Sequence, residues 1–403
     1  MQSLPLDCRF LRFPVFATRR KRRFDKNGSE LDMSSIMMWL GSALTVAASA
    51  YALLASVARA QTYASAGSRP PGRQPVTVLK PLCGLEPRLE ENLASICEQT
   101  YPEYQIVFGV RDPNDAAIQV VERLKSTYPQ RDIEMVVDSR IHGANFKVSN
   151  LINMATRARH SWIVLADSDI AVAPDYLERV TPPLADPSVG IVTCLYRARP
   201  LDSFWARMAA LFIDTWFAPS VRVASRFGSD GFGFGATIAV RADALAAIGG
   251  FSALSNCLAD DFWLGGLTRA RGLKTVLAEV VVTTDVIETS FAAMWSRERR
   301  WMLTIRSLNR LGYAFTFITF TFPMLALGLA LAPTAMNLAI ATLGIVARMT
   351  MHVRLSASAP NFLYAPLRDV FLLLTWTSAF LGSTVQWRGQ TVPVQHDPAG
   401  PPV

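Results

Sequence analysis

Three long stretches without a charged side chain place the strongest constraint on how this chain can fold. They cover residues 33–58, 311–347 and 370–387. A helix needs about 20 consecutive apolar residues to cross the hydrocarbon layer of a membrane. The first run is long enough for one span. The second is long enough for two, and Pro333 predicts a tight turn between them.

The third uncharged run adds a fourth predicted span. The sequence therefore predicts one N-terminal and about three C-terminal transmembrane helices. The alternative for the last two is a re-entrant or interfacial hairpin, since the run that ends before Arg348 is short for a full crossing.

The orientation of the spans is predicted from the basic residues in their loops. The segment between the third and fourth spans carries Arg348, Arg354 and Arg368, and cytoplasmic loops are enriched in Lys and Arg. Counting back through the spans places residues 59–310 in the cytoplasm. The protein is thus expected to be a multi-pass integral membrane protein whose large domain between the first two spans lies in the cytoplasm.

The basic run at residues 19–23 would then lie on the other side of the membrane. Because this conflicts with the usual charge bias, we expect residues 1–32 to be a disordered basic extension, with Met33 as the natural start. Residues 388–403 are expected to form a disordered tail.

The net charge is +8, from 40 basic and 32 acidic side chains. Such a charge suits an anionic membrane surface, a phosphorylated substrate or nucleic acid. Much of the basic charge lies in the first 32 residues and beside the predicted spans, so we expect a lipid bilayer and no nucleic acid as partner. The five scattered cysteines predict reduced, mostly buried thiols and show no zinc pattern.

Residues 59–75 are rich in Ser, Gly, Pro and Arg and are predicted to be a linker. In the following domain, residues 76–310, short β-branched runs alternate with stretches of helical spacing. This pattern is typical of a parallel sheet with helices on both faces. The predicted strands are 76–79, 105–110, 133–137, 162–166 and 190–195, with a further strand-like run at 236–240. The predicted helices are 87–99, 115–128, 147–158 and 174–180. Residues 311–387 then form the membrane-associated part.

Carboxylates follow two of these strands. Asp112 comes after the second strand, the run Asp167-Ser168-Asp169 after the fourth, and Asp260-Asp261 opens a later helix. Ligands of α/β sheets bind beyond the carboxyl ends of the strands. An Asp-x-Asp pair there offers hard oxygen ligands for Mg²⁺ or Mn²⁺, which can bridge a diphosphate. The alternative is that Asp115 is a helix N-cap and that Asp167 caps a turn. Asp260 is itself predicted to be the N-cap of its helix.

Basic and aromatic residues precede the second span. Arg297 and Arg300 are three residues apart and share a helix face, with Trp301 beside them. They are predicted to bind a diphosphate leaving group. The alternative is a basic flank that contacts lipid headgroups. Upstream, the aromatic stretch 204–217 predicts an interfacial helix, with a buried core helix as its alternative.

Four elements in this order resemble the motif set of membrane GT-A glycosyltransferases, and most closely that of the ceramide glucosyltransferase family. They are Asp112, the Asp167-Ser168-Asp169 run, Asp261 and the Arg297-x-x-Arg300-Trp301 motif. The resemblance covers residues 76–310 and the pattern of spans. It implies a GT-A fold, which is Rossmann-like and built for nucleotide-diphospho-sugars.

Two positions depart from the ceramide enzymes. Those enzymes have Asp-Ser-Gly where this chain has Asp167-Ser168-Asp169, and His-Gly where it has Thr193-Cys194. Residues 192–197 and the glycine run 231–235 are more similar to a bacterial glycosyltransferase of hopanoid biosynthesis in the same family.

The resemblance also implies roles for the residues of the motifs. Catalysis is assigned to Asp261 as the base and to Arg297, Arg300 and Trp301 at the leaving group, in a single displacement with inversion. The nucleotide-sugar is assigned to Lys80, Asp112, Lys147 and Asp167. A divalent cation, Mg²⁺ or Mn²⁺, is assigned to Asp169 with Asp167 beside it.

The expected function is transfer of a sugar from a UDP-sugar to a lipid hydroxyl in a bacterial inner membrane. The favoured reaction moves N-acetylglucosamine from UDP-GlcNAc to a polyhydroxylated hopanoid, and the alternative moves glucose from UDP-Glc to ceramide. A different class of explanation is a non-catalytic lipid-binding scaffold. Intact carboxylates at all three places, together with Arg300 and Trp301, argue against the scaffold.

Overall fold

The computed structural model describes residues 33–59, 74–356, 360–387 and 390–393. The predicted extension 1–32 lies outside the described residues. So do residues 60–73 of the predicted linker and most of the predicted tail.

An eight-stranded sheet forms the centre of the soluble domain, in the order β3-β2-β1-β4-β7-β6-β8-β5. Its strands are β1 (Val76–Pro81), β2 (Tyr104–Val110), β3 (Asp132–Val137), β4 (Trp162–Ala166), β5 (Ile170–Ala171), β6 (Val189–Pro200), β7 (Thr237–Arg241) and β8 (Lys274–Val286).

The predicted all-parallel arrangement holds only for the first half of this sheet. Strands β1 to β4 pair in parallel. Strand β7 runs antiparallel to both β4 and β6, β8 pairs in parallel with β6, and the two-residue β5 runs antiparallel to β8. The sheet is therefore mixed, and β5 and β8 have no counterpart among the predicted strands.

The helices of the soluble domain cover both faces of the sheet. They are α2 (Leu89–Cys97), α3 (Ala117–Thr127), α4 (Phe146–Ala155), α5 (Tyr176–Val180), α6 (Phe204–Phe212), α7 (Ala218–Arg226), α8 (Ala242–Ala247), α9 (Asp260–Ala270) and α10 (Phe291–Leu308), with α1 (Met33–Val57) preceding them.

Alternate residues of β1 face opposite layers of helices. Val78 belongs to a core shared with α2, α3 and α5. Leu79 belongs to a second core, shared with α4, α8 and α9. Because both faces are covered, β1, β2 and β4 are almost entirely buried, which explains their nearly continuous apolar sequences. Because β1, β2 and β4 run parallel, their carboxyl ends open at the same edge of the sheet.

Four further helices follow α10: α11 (Arg310–Phe315), α12 (Thr321–Leu331), α13 (Ala335–Leu355) and α14 (Tyr364–Ser378). A short antiparallel hairpin of β9 (Thr384–Trp387) and β10 (Gln390–Pro393) ends the described chain. Within the described residues, α1 and α13 are long and apolar enough to cross a membrane. The segment from α11 to α12 bends by 77°, so it forms a broken span or a re-entrant loop.

The structure therefore gives two or three candidate spans, where the sequence predicts four. The turn predicted at Pro333 is present, because α12 ends at Leu331 and α13 begins at Ala335. The fourth predicted span corresponds to α14, which has only 15 residues. Small residues let these helices pack closely: a Cβ on Gly328 would lie 2.3 Å from Thr45 Oγ1 of α1.

The basic residues used to predict the orientation are not loop residues. Arg348 lies within α13 and is paired with Asp369, and Arg368 lies within α14 and is paired with Glu298. Only Arg354 is near the connection, in the last turn of α13.

The aromatic stretch 204–217 is largely a buried helix, not an exposed interfacial one. It forms α6 and a π-helical turn at Ile213–Phe217. Met208, Leu211 and Ile213 are completely buried against neighbours that include α10 and α14. The prediction of an interfacial helix is wrong, because these side chains complete a core between the sheet and the C-terminal helices.

Candidate active site

A cavity of about 1090 Å³ lies between the carboxyl ends of the strands and α10. All but one of the predicted site residues line it. They are Asp112, Lys147, Asp167, Asp169, Asp261, Arg297, Arg300 and Trp301. Residues separated by up to 189 positions in the chain, from Asp112 to Trp301, thus share one cavity.

Lys80 is the exception. Its side chain is 1% exposed, and its Nζ donates to the carbonyl oxygens of Asp167 at 2.7 Å and Ile170 at 3.1 Å. Burial lowers its pKa to about 8. The prediction that Lys80 contacts the nucleotide is therefore corrected. Lys80 instead binds the backbone of the turn that carries Asp167 and Asp169, on the side away from the cavity.

The turn after β4 presents Asp167 and Asp169 to the cavity. Asp169 Oδ2 accepts a hydrogen bond from Thr284 Oγ1 at 2.9 Å. Desolvation, followed by repulsion from Asp167, raises the pKa of Asp169 to about 7. A cation at this position would relieve that repulsion.

No cluster of three His, Cys, Asp or Glu side chains suited to a metal occurs in the described part of the chain. Mg²⁺ is usually held by one or two carboxylates together with substrate phosphates. The pair formed by Asp167 and Asp169 fits that manner of binding, in which the remaining ligands come from the substrate.

Lys147 connects the two groups of carboxylates. Its Nζ lies 2.7 Å from Asp167 Oδ1 and 3.6 Å from Asp260 Oδ2. Burial opposes its charge, but Asp167 and Asp260 together raise its pKa above the ordinary value. Lys147 is therefore a permanent positive charge on the cavity wall.

Asp261 is fixed by two backbone N–H groups at the start of α9. Its Oδ2 accepts from Gly235 at 2.6 Å, and its Oδ1 accepts from Phe262 at 2.8 Å. Desolvation, followed by repulsion from Asp260, raises its pKa to about 6. A carboxylate with this pKa is well matched to proton removal near neutral pH.

The prediction that Asp260 caps α9 is wrong. Asp260 is the first residue of the helix, the cap position belongs to Ala259, and no side chain caps this end. Asp260 Oδ1 instead accepts from Asn145 Nδ2 at 3.3 Å, which directs the carboxylate toward Lys147.

The glycine run 231–235 packs directly on the first turn of α9. A Cβ on Gly233 would lie 2.3 Å from the carbonyl oxygen of Asp261, so only glycine fits there. Between the glycines, Phe232 and Phe234 stack with their ring centres 5.3 Å apart and line the cavity. The run thus fixes Asp261 and supplies an aromatic wall.

One face of α10 forms the opposite side of the cavity. It carries Arg297, Arg300, Trp301, Thr304, Ile305 and Leu308. These positions recur at intervals of three and four residues, so they form one stripe along the helix. From Arg300 to Leu308 the helix rises by about 12 Å, and along that length the lining changes from charged to apolar.

Arg297 is oriented by Glu288, which precedes α10, and by Trp301 on the same stripe. Its Nη1 donates to Glu288 Oε2 at 2.7 Å, and its guanidinium lies 4.6 Å from the centre of the Trp301 ring. Trp301 in turn packs edge-on against Phe212 of α6.

Asp112 lies at the exposed rim of the cavity, where its Oδ1 accepts from the backbone of Asn114 at 2.8 Å. Asp115 accepts from Ala117 N–H at 2.9 Å and also from Gly84 N–H. The cap position of α3 belongs to Ala116, so Asp115 lies one residue before the cap that the alternative for it predicts. Its contact with Gly84 ties the loop after β1 to the loop after β2.

The lining also includes side chains that are absent from the sequence prediction, among them Arg111, Phe146 and Glu288. The Arg111 guanidinium lies 3.9 Å from the centre of the Phe146 ring. Arg111 follows β2 directly and precedes Asp112, so its position at a strand end is a sequence signal that could have placed it in the site. Glu288 follows the unpredicted strand β8 and had none.

The sequence model of glycosyl transferase family 21 matches residues 37–399. Ceramide glucosyltransferase 1 of Caenorhabditis elegans is 24% identical over 228 residues, which are 56% of this chain and 49% of that protein. Ceramide glucosyltransferase of Komagataella phaffii is 32% identical over 114 residues, 27% of this chain and 22% of that protein. The chain thus spans about half, or less, of the length of these curated relatives.

Among solved structures, a mannosyltransferase from Pyrobaculum calidifontis in complex with GDP-Man and Mn²⁺ has a similar fold. Its TM-score is 0.55 at 21% sequence identity, and the likeness covers 86% of this chain and 99% of that one.

Proposed function

Because the chain belongs to glycosyl transferase family 21, we propose that it transfers a sugar from a UDP-sugar to a hydroxyl group of a membrane lipid. The family match and the likeness to the mannosyltransferase confirm the predicted GT-A fold. The curated relatives confirm the predicted resemblance to the ceramide glucosyltransferase family.

The observation that carries the proposal is the joining of two chemistries in one cavity. Carboxylates and arginines suited to a nucleotide diphosphate line the same space as an apolar helix face and two stacked phenylalanines. A soluble acceptor would not need the apolar lining, whereas a lipid that carries a hydroxyl group would use both.

The apolar side of the cavity also lies beside the membrane helices. The apolar half of α10 leads through Asn309 into α11 and the bent segment. Phe217, which lines the cavity, directly precedes α7, and α7 is joined to α1 by a 2.7 Å hydrogen bond between Ser220 Oγ and Tyr51 Oη. A lipid could therefore reach Asp261 from the bilayer.

In the proposed reaction, Asp261 removes the proton from the acceptor hydroxyl as that oxygen attacks the sugar. The attack comes from the face opposite the UDP, so the configuration at the sugar carbon inverts. Arg300, assisted by Arg297, donates charge-assisted hydrogen bonds to the diphosphate as it leaves. A divalent cation, Mg²⁺ or Mn²⁺, would be held by Asp169 with Asp167 beside it, and would act as a Lewis acid on the diphosphate.

The nucleotide is assigned to the rim formed by the ends of β1 and β2. Asp112 remains the proposed contact of the uridine, and Lys147 keeps Asp167 paired and oriented. Lys80 does not contact the nucleotide in this proposal, because both of its hydrogen bonds stabilise the backbone of the turn after β4.

Ceramide and a hopanoid are the two acceptors to distinguish. The names of the relatives favour ceramide with UDP-Glc. The hopanoid reaction with UDP-GlcNAc rests on the similarity of residues 192–197 and 231–235. Thr193 Oγ1 accepts from Phe234 N–H at 3.0 Å. The position that departs from the ceramide enzymes therefore shapes the aromatic wall.

The test has two parts. Purified protein is given UDP-Glc or UDP-GlcNAc with ceramide or with a hopanoid, and release of UDP is measured. The lipids of a deletion strain are then analysed for the missing glycolipid. The proposal expects lipid-dependent release of UDP, and a non-catalytic scaffold would release none.

The catalytic domain is proposed to lie on the cytoplasmic side of a bacterial inner membrane. Arg354 Nη1 donates to the Ser56 carbonyl at 3.1 Å, so the C-terminal ends of α13 and α1 meet. Arg59 lies at the same end, and this end of α1 leads into the catalytic domain. Basic residues favour the cytoplasmic side. A membrane-impermeant thiol reagent should then label the exposed Cys83 in inverted vesicles but not in spheroplasts.

A further inference from the structure

Two adjacent residues of α14 form buried ion pairs with two different helices. Arg368 binds Glu298 of α10 in a two-pronged contact, with Nη1 2.7 Å from Oε1 and Nη2 2.6 Å from Oε2. Asp369 binds Arg348 of α13, with Nη2 2.8 Å from Oδ1. All four side chains are at most 2% exposed.

Glu298 lies inside the motif of α10, directly after Arg297 and two residues before Arg300. It is not among the residues that line the cavity. Its carboxylate points instead into the protein, where Arg368 also donates to the carbonyl oxygen of Met208 at 3.0 Å. The mechanism proposed above makes no use of Glu298.

Stability alone is a weak explanation for such a pair. Removing two charges from water is costly, and well-packed apolar side chains of similar size often stabilise as much or more. A two-pronged Arg–carboxylate contact does fix direction, because both groups are planar. The pair therefore restricts the rotation of α10 about its own axis.

The pair also acts on the local charges. Glu298 follows Arg297 in the chain, and an unpaired carboxylate there would compete for the arginines of the same helix. Both oxygens of Glu298 are bound to Arg368. Arg297 therefore stays paired with Glu288, on the side of α10 that lines the cavity.

From these contacts we infer that Arg368 is a positioning residue, which acts through Glu298 to hold Arg297 and Arg300 toward the leaving diphosphate. The inference rests on the proposed glycosyl transfer. The Arg348–Asp369 pair is a matched comparison. It is equally buried, and Asp369 directly follows Arg368, but this pair joins α14 to α13 and not to α10.

The main test replaces each pair by apolar side chains in the full-length protein. For Glu298→Met/Arg368→Met we expect an unfolding temperature within a few degrees of that of the wild-type protein. We also expect a fall in kcat of about tenfold or more, with KM for the lipid changed less than threefold, because small displacements of catalytic groups are costly. In Arg348→Met/Asp369→Leu we expect kcat within about twofold of wild type.

Arg368→Lys provides a second, milder variant that decides the question if the double variant does not fold. Lysine keeps the charge but loses the planar fork, so we expect kcat to fall about threefold or more at unchanged lipid KM. The exchanged pair Glu298→Arg/Arg368→Glu should recover part of the activity lost in the Glu298→Met/Arg368→Met variant.

Wild-type kcat in Arg368→Lys would overturn the inference, and so would wild-type kcat in a folded Glu298→Met/Arg368→Met variant. An equal loss of kcat in the Arg348→Met/Asp369→Leu control would overturn it as well, because the effect would then belong to packing in general. Failure of the proposed function is distinguishable, since the wild-type protein itself would then transfer no sugar.

Discussion

The two walls of the cavity are held in place in different ways. The strand-end wall consists of Asp112, Asp167, Asp169 and the first turn of α9. Its side chains are held from within the soluble domain: Asp261 by the N–H groups of Gly235 and Phe262, Asp167 by Lys147, and Asp169 by Thr284. The helical wall is the stripe of α10, whose rotation depends on contacts such as that of Glu298 with Arg368, 70 residues away.

This difference suggests a division of labour. The strand-end wall is acidic and its carboxylates are fixed by hydrogen bonds and an ion pair, which suits proton removal and binding of a cation. The helical wall changes from basic to apolar along its length, which suits the diphosphate at one end and the lipid at the other. Substitutions in the two walls should therefore change different kinetic constants.

The largest effect is expected at the strand-end wall. Asp261→Asn removes the proposed base and should lower kcat at least ~10²-fold while UDP still binds. Transfer rates and the Kd for UDP measure the two quantities. Asp260→Asn is the matched control, and its loss should be at least tenfold smaller. Equal losses in the two variants would contradict the assignment of the base.

On the helical wall, Arg300→Lys keeps the positive charge but removes the fork that fits a diphosphate. We expect kcat to fall about 10- to 100-fold. The neighbouring Arg299 donates to the carbonyl oxygen of Leu381, away from the cavity, so Arg299→Lys should stay within about twofold. A similar loss in both variants would mean that the stripe is not the site of charge stabilisation.

The pH dependence should follow the strand-end wall. Asp261 acts as a base only when ionised, and its pKa is raised to about 6 by desolvation and by Asp260. The value of kcat/KM should therefore fall about tenfold per unit below pH 6 and level off above it. Asp260→Asn should move the midpoint to lower pH. A flat profile from pH 5 to 7, with the protein folded throughout, would contradict this prediction.

The smallest effect is expected at the apolar end of the helical wall. Ile305→Val removes one methylene, worth about 0.8 kcal/mol when buried. We therefore expect the KM for the lipid to rise about fourfold, with the KM for the UDP-sugar unchanged. If both constants rise together, Ile305 does not contact the acceptor.

The two walls also differ in how much of each could be predicted from the sequence. The strands that carry Asp112 and Asp167 are predicted closely, because buried parallel strands have continuous apolar sequences. Ligands bind beyond their ends, so the carboxylates could be placed from the chain alone. The antiparallel strands β7 and β5 alter the sheet without altering that edge.

Three residues show where the prediction fails. Lys80 turns inward, because the backbone carbonyls that bind it belong to a turn 87 and 90 residues away. Arg348 and Arg368 resemble loop charges in the sequence, yet each is buried against an acidic partner. Such pairings depend on how distant helices pack, and hydropathy and spacing carry no information about them.

The most direct test follows labelled sugar from a UDP-sugar into the lipid phase. Full-length protein in lipid nanodiscs is supplied with UDP-[¹⁴C]glucose or UDP-[¹⁴C]GlcNAc and with ceramide or a hopanoid, beside the Asp261→Asn variant. The account predicts that label enters one lipid with the wild-type protein and enters it at least ~10² times more slowly with the variant. Label that stays in the aqueous phase with every donor and lipid, or a variant as active as wild type, would contradict it.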